Sequence, residues 1–537
     1  MGNSQSSSTG QQRQRRHAED SEPVIIQKRR AHHVPMTSTQ LSSHVGQDLA
    51  WRAYKVFLDQ YPQYEQTEPL DLLRLSDFAR LDQGGETYVD YMGGSLHPDS
   101  IVLAHMAVLS SNIMGNTHSV STSSQVSSTY ANKARAAVLA FFHAPPEYTV
   151  IFTPNASGAL KLIGESFPFT PGGSYVMGVD SHNSVTGIRK FALQKGARVA
   201  YIESTPHGGM EVSTAMDVLR SHKPRSRVES PSLFALTGQS NISNSKNPLS
   251  LLHYASSLGY STLLDAAALA PTSVISLEKT PVDAMAVSFY KMFGYPTGVG
   301  ALVVKKSFLE QLERPWFAGG TVDVVQVPGT VVTMSSDIHE RFEDGTINYL
   351  ALPAIADGLR LLSNYLPFLP LRLSCLVDYL SSSLLQLRHQ ENSSPVVRIV
   401  SRLPTRRLTN VGDQSDTGFI VSFVFLSPNG RLLPNTFVEH AASMRRISLR
   451  TGCMCNPGAA AAMLGSQKEM EGLYDGIRRQ DILDAMGQVP GVVRLSLGLA
   501  STFQDVWCVL QFASGMSRSR SRQAMWEAWV KDGTPGH

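Results

Sequence analysis

Ala286-Val287-Ser288-Phe289-Tyr290-Lys291-Met292-Phe293-Gly294-Tyr295-Pro296-Thr297-Gly298-Val299-Gly300 runs from an apolar strand into a glycine-rich turn, with a lysine at the break. A lysine so placed is either a surface side chain that lays its stem along apolar neighbours or a buried amine, its pKa lowered, that reacts with carbonyls. A second residue separates the two readings. Asp265 ends the strand-like run Ser261-Thr262-Leu263-Leu264-Asp265-Ala266-Ala267, and the amine stands 291 − 265 = 26 positions after the acid. That distance fits one short crossover between neighbouring strands.

Strands and helices alternate on both sides of this stretch. The pattern predicts helix over 131–142, strand over 148–153, helix over 157–165 and strand over 174–178, then strands over 233–236, 262–265, 284–289 and 300–304. Such alternation implies an α/β fold with a mostly parallel sheet covered by helices. A recurring apolar and aromatic face predicts helix across 51–78, and 88–94 reads as a short strand entering a glycine turn. Beyond about residue 317 the order changes. A helix near 350–362 leads into strands around 396–399 and 418–425, the pattern of a smaller α+β domain. The expected organisation is a basic disordered tail over 1–45, an N-terminal segment with the large cofactor-binding domain over 46–330, a small C-terminal domain with a cysteine loop over 331–515, and a tail over 516–537.

Composition narrows the function classes. The chain has 537 residues, 42% of them hydrophobic, and a formal net charge of +3. That charge is too small to argue for nucleic acid, and the excess basic residues gather in the termini. No run approaches a membrane-spanning length free of charge, and no signal-peptide core opens the chain. Four cysteines, Cys375, Cys453, Cys455 and Cys508, are too few and too unevenly placed for a disulfide framework. They predict a reducing, cytoplasmic setting. Met1-Gly2-Asn3-Ser4-Gln5-Ser6 fits the N-myristoylation pattern at Gly2, and Arg13, Arg15, Arg16, Lys28, Arg29 and Arg30 follow it. An acyl chain plus a polybasic stretch would hold the chain at a membrane surface; an unacylated tail is the other reading.

Lys291 with Asp265 points to pyridoxal phosphate (PLP), which needs a lysine for a Schiff base and an acid against its pyridine nitrogen. Asn155-Ala156-Ser157-Gly158-Ala159 lies between a strand and a helix, where free N–H groups favour a phosphate. By itself it also reads as an ordinary capped helix start. Asp180-Ser181-His182-Asn183-Ser184 follows the next strand, and a histidine at such a turn is either solvated or placed to move protons. Cys453 and Cys455 lie in a loop of small and polar residues just after Arg450, where a reactive cysteine is expected. Two thiolates without nearby histidines do not make a zinc site, and no metal is predicted. Arg494 sits between apolar strand residues as a buried ion-pair partner or as a fork for a carboxylate.

Three phrases carry a family resemblance: Ser288 to Gly298, Arg341-Phe342-Glu343-Asp344-Gly345-Thr346, and Arg450-Thr451-Gly452-Cys453-Met454-Cys455-Asn456-Pro457-Gly458-Ala459. Over about 88–515 the chain resembles the class V, fold-type I PLP enzymes, within them the cysteine desulfurases, and above all the N-terminal desulfurase-like domain of eukaryotic molybdenum cofactor sulfurases. The resemblance implies that Lys291 carries the cofactor, Asp265 faces the pyridine nitrogen, His182 stacks on the ring and Asn241 meets its hydroxyl. It further implies that Ala156 and Ser157 hold the phosphate with help from Ser288 and Tyr290. Thr321, in Ala318-Gly319-Gly320-Thr321, would reach the phosphate of a neighbouring subunit, which requires a homodimer. Arg494 would clamp the substrate carboxylate, with Arg450 beside it. Cys455, five residues after Arg450, would be the nucleophile that takes sulfur from L-cysteine as a persulfide and releases L-alanine. Cys453 is the alternative nucleophile or a relay.

The chain also departs from the family. Ala268 stands where many desulfurases carry glutamine, and Ala460 where the subgroup often has a third cysteine. Nothing in it matches the molybdenum cofactor-binding domain of the full-length sulfurases. The acceptor is therefore open between molybdenum cofactor or its carrier and a small metabolite. Two rival readings stand beside sulfur transfer: a same-fold C–S lyase, epimerase or aminotransferase, and a non-catalytic membrane-associated scaffold.

Overall fold

The computed structural model describes residues 44–226, 228–478, 480–482 and 491–533. The acylation-like stretch at Gly2 and the basic residues behind it lie outside the described residues. The main sheet has seven strands: β1 Tyr148–Thr153, β2 Ser174–Gly178, β3 Arg198–Ile202, β4 Leu233–Thr237, β5 Ser261–Asp265, β6 Ala284–Ser288 and β7 Gly300–Lys305. Their order is β1-β7-β6-β5-β4-β2-β3. Strands β2 to β6 run parallel, and β7 is antiparallel to both neighbours. The connection from β6 to β7 holds one short helix, Phe289–Phe293, and a turn. It is short for the crossover that a parallel partner needs.

Every residue of β4, β5 and β6 is buried, as in a sheet covered by helices on both faces. Phe234, Leu264 and Met285 belong to the core on one face, and Leu233, Leu263 and Ala286 to the core on the other. Side-chain alternation alone divides them. The register pairs Thr237 with Asp265 and Asp265 with Ala286, so the carboxyl ends of β4 and β5 finish at one level and β6 runs two residues further, to Ser288. Ligands in open α/β sheets bind beyond such ends.

A hairpin of β8 Val322–Val325 and β9 Val332–Met334 follows. A second, wholly antiparallel sheet then has the order β10-β11-β13-β12, made of β10 Val397–Ile399, β11 Ile420–Phe425, β12 Arg450–Gly452 and β13 Val492–Ser496. The N-terminal helix His44–Gln60 joins the core of this second part: Phe57 packs on Tyr61, Tyr64, Tyr379 and Phe503 at centroid distances of 4.9, 5.0, 5.2 and 5.0 Å. Buried Arg372 reinforces the joint through Asp71, and Arg74 through Asp505.

Residues 519–531, read from sequence as tail, form the helix Ser519–Lys531. The Ser and Arg alternation at its start hides two tryptophans three residues apart. Trp526 and Trp529 share one helical face and pack on Phe437 at 5.1 and 5.8 Å, Trp529 becoming buried. Among the described residues no single helix is long and apolar enough to cross a membrane; one bent pair, Pro353–Tyr365 with Leu369–Gln386, passes by length and composition, and its apolar residues are largely core.

Candidate active site

The strand ends open into a cavity with about 570 Å³ of empty volume, lined among others by Ala156, Ser157, His182, Asn241, Asp265, Ser288, Tyr290 and Lys291. Eight residues predicted from sequence thus converge on one wall. The helix Ala156–Ser166 points its N-terminus at this cavity, capped by Asn155, whose side chain accepts from Gly158 N. Ala156 N donates to Ser288 Oγ at 2.8 Å, and the Ser157 and Ser184 hydroxyls lie 2.6 Å apart. Gly300 makes the close approach possible: a Cβ there would come 2.6 Å from Asn155 Cα. The helix dipole, the small side chains and the N–H of Ser157 suit a phosphate at this end.

Lys291 follows β6 within the one-turn helix Phe289–Phe293, whose exit through Gly294 at φ +81° would bring a Cβ 2.2 Å from Leu96 C. Burial holds its amine below the ordinary lysine range; Asp265 opposes this, while Arg494 and Arg450 act with it. The shift is toward the neutral, nucleophilic form. Asp265 is buried at the end of β5, one oxygen accepting from Ala267 N at 3.0 Å. His182 caps the short helix Asn183–Thr186: its Nδ1 accepts from Ser184 N at 3.1 Å, so a neutral ring carries its proton on Nε2. Burial lowers its pKa, with Asp265 opposing and Lys291 assisting.

Asn241 lines the cavity and also ties it to the cysteine loop: its Nδ2 donates to Met454 O at 2.7 Å and its Oδ1 accepts from Asn456 Nδ2 at 3.1 Å. One of its two N–H donors is thus spent on the loop. That loop is tied again by Asn183 N donating to Cys455 O at 2.7 Å, and by Asn456 Nδ2 donating to Asp180 Oδ1 at 2.7 Å. Asp180 also accepts from Ser240, Ser243 and Gly209 N. The thiol of Cys455 is exposed, whereas Cys453 packs against the apolar cluster of Met454, Met463 and Val424. Met454 and Cys455 both have left-handed backbone, φ +55° and +56°.

The two arginines are cross-strand partners, Arg450 on β12 opposite Arg494 on β13. Asp90 holds them together, 2.5 Å from Arg494 Nη2 and 2.9 Å from Arg450 Nη2. Arg494 is buried and also donates to Asn241 O at 2.9 Å, leaving Nε without a partner. Arg450 is half exposed. Thr321 does not line the cavity: its buried hydroxyl accepts from Ala318 N at 2.8 Å, beside a second cleft that includes His118, Gly319 and Gly320. Asp90, Asp180 and Asn456 were missed as site residues from sequence; their partners lie up to 404 positions away, and no local pattern marks them.

The residues present fit PLP: a lysine whose pKa is lowered, a buried carboxylate at a neighbouring strand end, and a helix N-terminus with small side chains facing the cavity. When bound, PLP supplies the electron sink for a substrate carbanion.

Comparisons with known proteins agree. Residues 87–509 match the family described as aminotransferase class-V. Molybdenum cofactor sulfurases of Solanum lycopersicum and Homo sapiens are 34% and 33% identical over 491 and 462 residues, covering 85% and 82% of this chain and 58% and 50% of those proteins. The chain therefore spans about half to three-fifths of the length of the curated relatives it matches. A cysteine desulfurase from Thermococcus onnurineus NA1 superposes with a TM-score of 0.66 at 23% identity, over 83% of this chain and 98% of that one. A cystine C–S lyase, C-DES, does so with 0.57 at 17% identity, over 80% and 97%. Such likeness fixes the fold. With the family match across most of its length, the fold-type I architecture and the lysine–aspartate pair in place, the chain belongs to the class-V aminotransferase family.

Proposed function

We propose that this chain takes the sulfur of L-cysteine as a persulfide on Cys455, releases L-alanine and hands the sulfur to an acceptor. The observation that carries this reading is the cysteine loop: an exposed thiol on strained backbone, tied through Asn241 and Asn183 to the wall that holds Lys291. A fold used only to bind PLP has no need of such a loop. Arg450 and the unpartnered Nε of Arg494 receive the substrate carboxylate, and the Lys291 amine moves the α-proton. The Cys455 thiolate attacks the substrate sulfur. An S–S bond forms as the Cβ–S bond breaks, its electron pair stays on carbon, and protonation of that carbon gives alanine. The exposed thiol favours Cys455 over Cys453 as the nucleophile. The molybdenum cofactor sulfurases among the relatives make molybdenum cofactor, or its carrier, the first acceptor to test; a small metabolite is the second.

The reading extends to a homodimer and to a peripheral membrane contact through an acylated Gly2, in a reducing cytoplasmic compartment. The solved C–S lyase keeps one other chemistry open on the same fold. Alanine, sulfide and pyruvate are to be measured from L-cysteine with PLP and reductant, in parallel for Cys455→Ala and Cys453→Ser. The expected outcome is alanine and sulfide from the parent and Cys453→Ser, and none from Cys455→Ala. Pyruvate as product, or an unchanged rate in Cys455→Ala, would overturn sulfur transfer in favour of a lyase. A purified chain that gains no visible cofactor band would leave the scaffold reading.

A further inference from the structure

Asn456 directly follows Cys455, is buried and caps the helix Pro457–Leu464. Its amide is oriented from two sides. Asp180 Oδ1, 2.7 Å away, belongs to a buried carboxylate that also accepts from Ser240, Ser243 and Gly209 N, so the atom facing it is the amide nitrogen. Ala459 N, which only donates, meets the amide oxygen at 3.2 Å. The remaining N–H of Asn456 is left for Asn241, 3.1 Å away, and the atom it meets there is Oδ1. Asn241 in turn directs one N–H to Met454 O at 2.7 Å, and Arg494 holds its backbone carbonyl at 2.9 Å. Its other N–H has no acceptor among the described residues, on a side chain that lines the cavity. A directed chain of hydrogen bonds therefore runs from Asp180 through Asn456 to a donor on the cavity wall.

We propose that Asn456 is a positioning residue that couples the cavity to the cysteine loop. A ligand oxygen that accepts from the free N–H of Asn241 fixes that amide and makes its oxygen a stronger acceptor. The hold on Asn456 and on Met454 O tightens with it, and both residues flank Cys455. Occupancy of the cavity thus governs how freely the thiol is presented. The coupling rests on PLP in the cavity and not on the persulfide reading.

The test uses the full chain, stripped of PLP and reloaded, with alkylation of Cys455 by iodoacetamide followed through the mass of its peptide. Two variants break the chain at different links. Asn456→Ser keeps a capping oxygen for the helix but has no amide donors, and Asp180→Asn keeps the shape but replaces a group that only accepts. In the parent, loading with PLP is expected to slow alkylation about twofold to fivefold, the worth of one hydrogen bond. In both variants that slowing should vanish, and PLP affinity by fluorescence quenching should fall by a similar factor. An equal slowing in parent and variants would mark simple shielding of the thiol by the cofactor and overturn the coupling. So would the absence of any slowing in the parent, a result that needs no variant. None of these readings depends on turnover of L-cysteine, so a failed persulfide mechanism leaves the test intact.

Discussion

Asp90 shows how one residue decides the chemistry of two others. Like charges directly opposite on paired strands repel, and Arg450 and Arg494 are such a pair. The Asp90 carboxylate between them, mostly buried, converts repulsion into a fork with one net positive charge. Removing one partner of a buried ion pair leaves the other charge uncompensated. Asp90→Asn is therefore expected to lower unfolding free energy by about 3 kcal/mol in urea titration. Arg450→Gln behaves otherwise. Its guanidinium is 51% exposed, so the loss of stability stays near or below about 1 kcal/mol. It removes a charged donor for the substrate carboxylate, and KM for L-cysteine should rise about tenfold to a hundredfold. A stability loss as large for Arg450→Gln as for Asp90→Asn would mean that the fork is structural only. Lys291 and Asp265 were legible because each ends an apolar run at a short spacing. Asp90 was not, since its partners lie 360 and 404 positions along the chain and only sheet pairing joins them.

At the scale of elements, the loop between β12 and the helix Pro457–Leu464 carries the thiol in an unfavourable conformation. Left-handed backbone costs a residue with a Cβ about 1–2 kcal/mol, and Cys455, exposed, recovers none of that by packing. The network of Asp180, Asn241 and Asn456 holds the loop against that cost. Cys455→Gly should then be about 1 kcal/mol more stable than Cys455→Ala, because glycine has no Cβ to strain, while both abolish alanine release. Equal stability of the two variants in denaturant titration would show that the loop stores no such strain. Most elements could be read in advance where their burial was complete, as in β4, β5 and β6, each built on consecutive apolar residues. Strand β3 was not. It is an edge strand, only half buried, and Arg198 and Tyr201 interrupt its apolar pattern. The last helix was obscured in the same way, since its burial rests on Met525, Trp526 and Trp529 amid charged and polar neighbours.

For the whole molecule, the question is what covers the β8–β9 hairpin. Two strands joined only to each other are marginal in water, and this pair exposes Val324, Val325, Val331 and Val332, at 55%, 37%, 56% and 36%. Trp316 and Phe317, just before it, are exposed as well. An apolar patch of this kind with open strand edges marks an interaction surface, and a self-complementary one closes with twofold symmetry. The Ala318–Thr321 turn leads directly into β8, and its glycines line the second cleft with His118 and Glu340. A partner seated on the hairpin would thus lie beside that cleft. A dimer is the expected state by light scattering coupled to size exclusion. Val325→Lys with Val332→Lys, both partly exposed and opposite each other in the hairpin register, should shift it to monomer. The parent's melting temperature should rise with protein concentration, as mass action requires of a dimer, and the variant's should not. A parent that runs as a monomer at every concentration would remove the homodimer and leave the hairpin to a different partner.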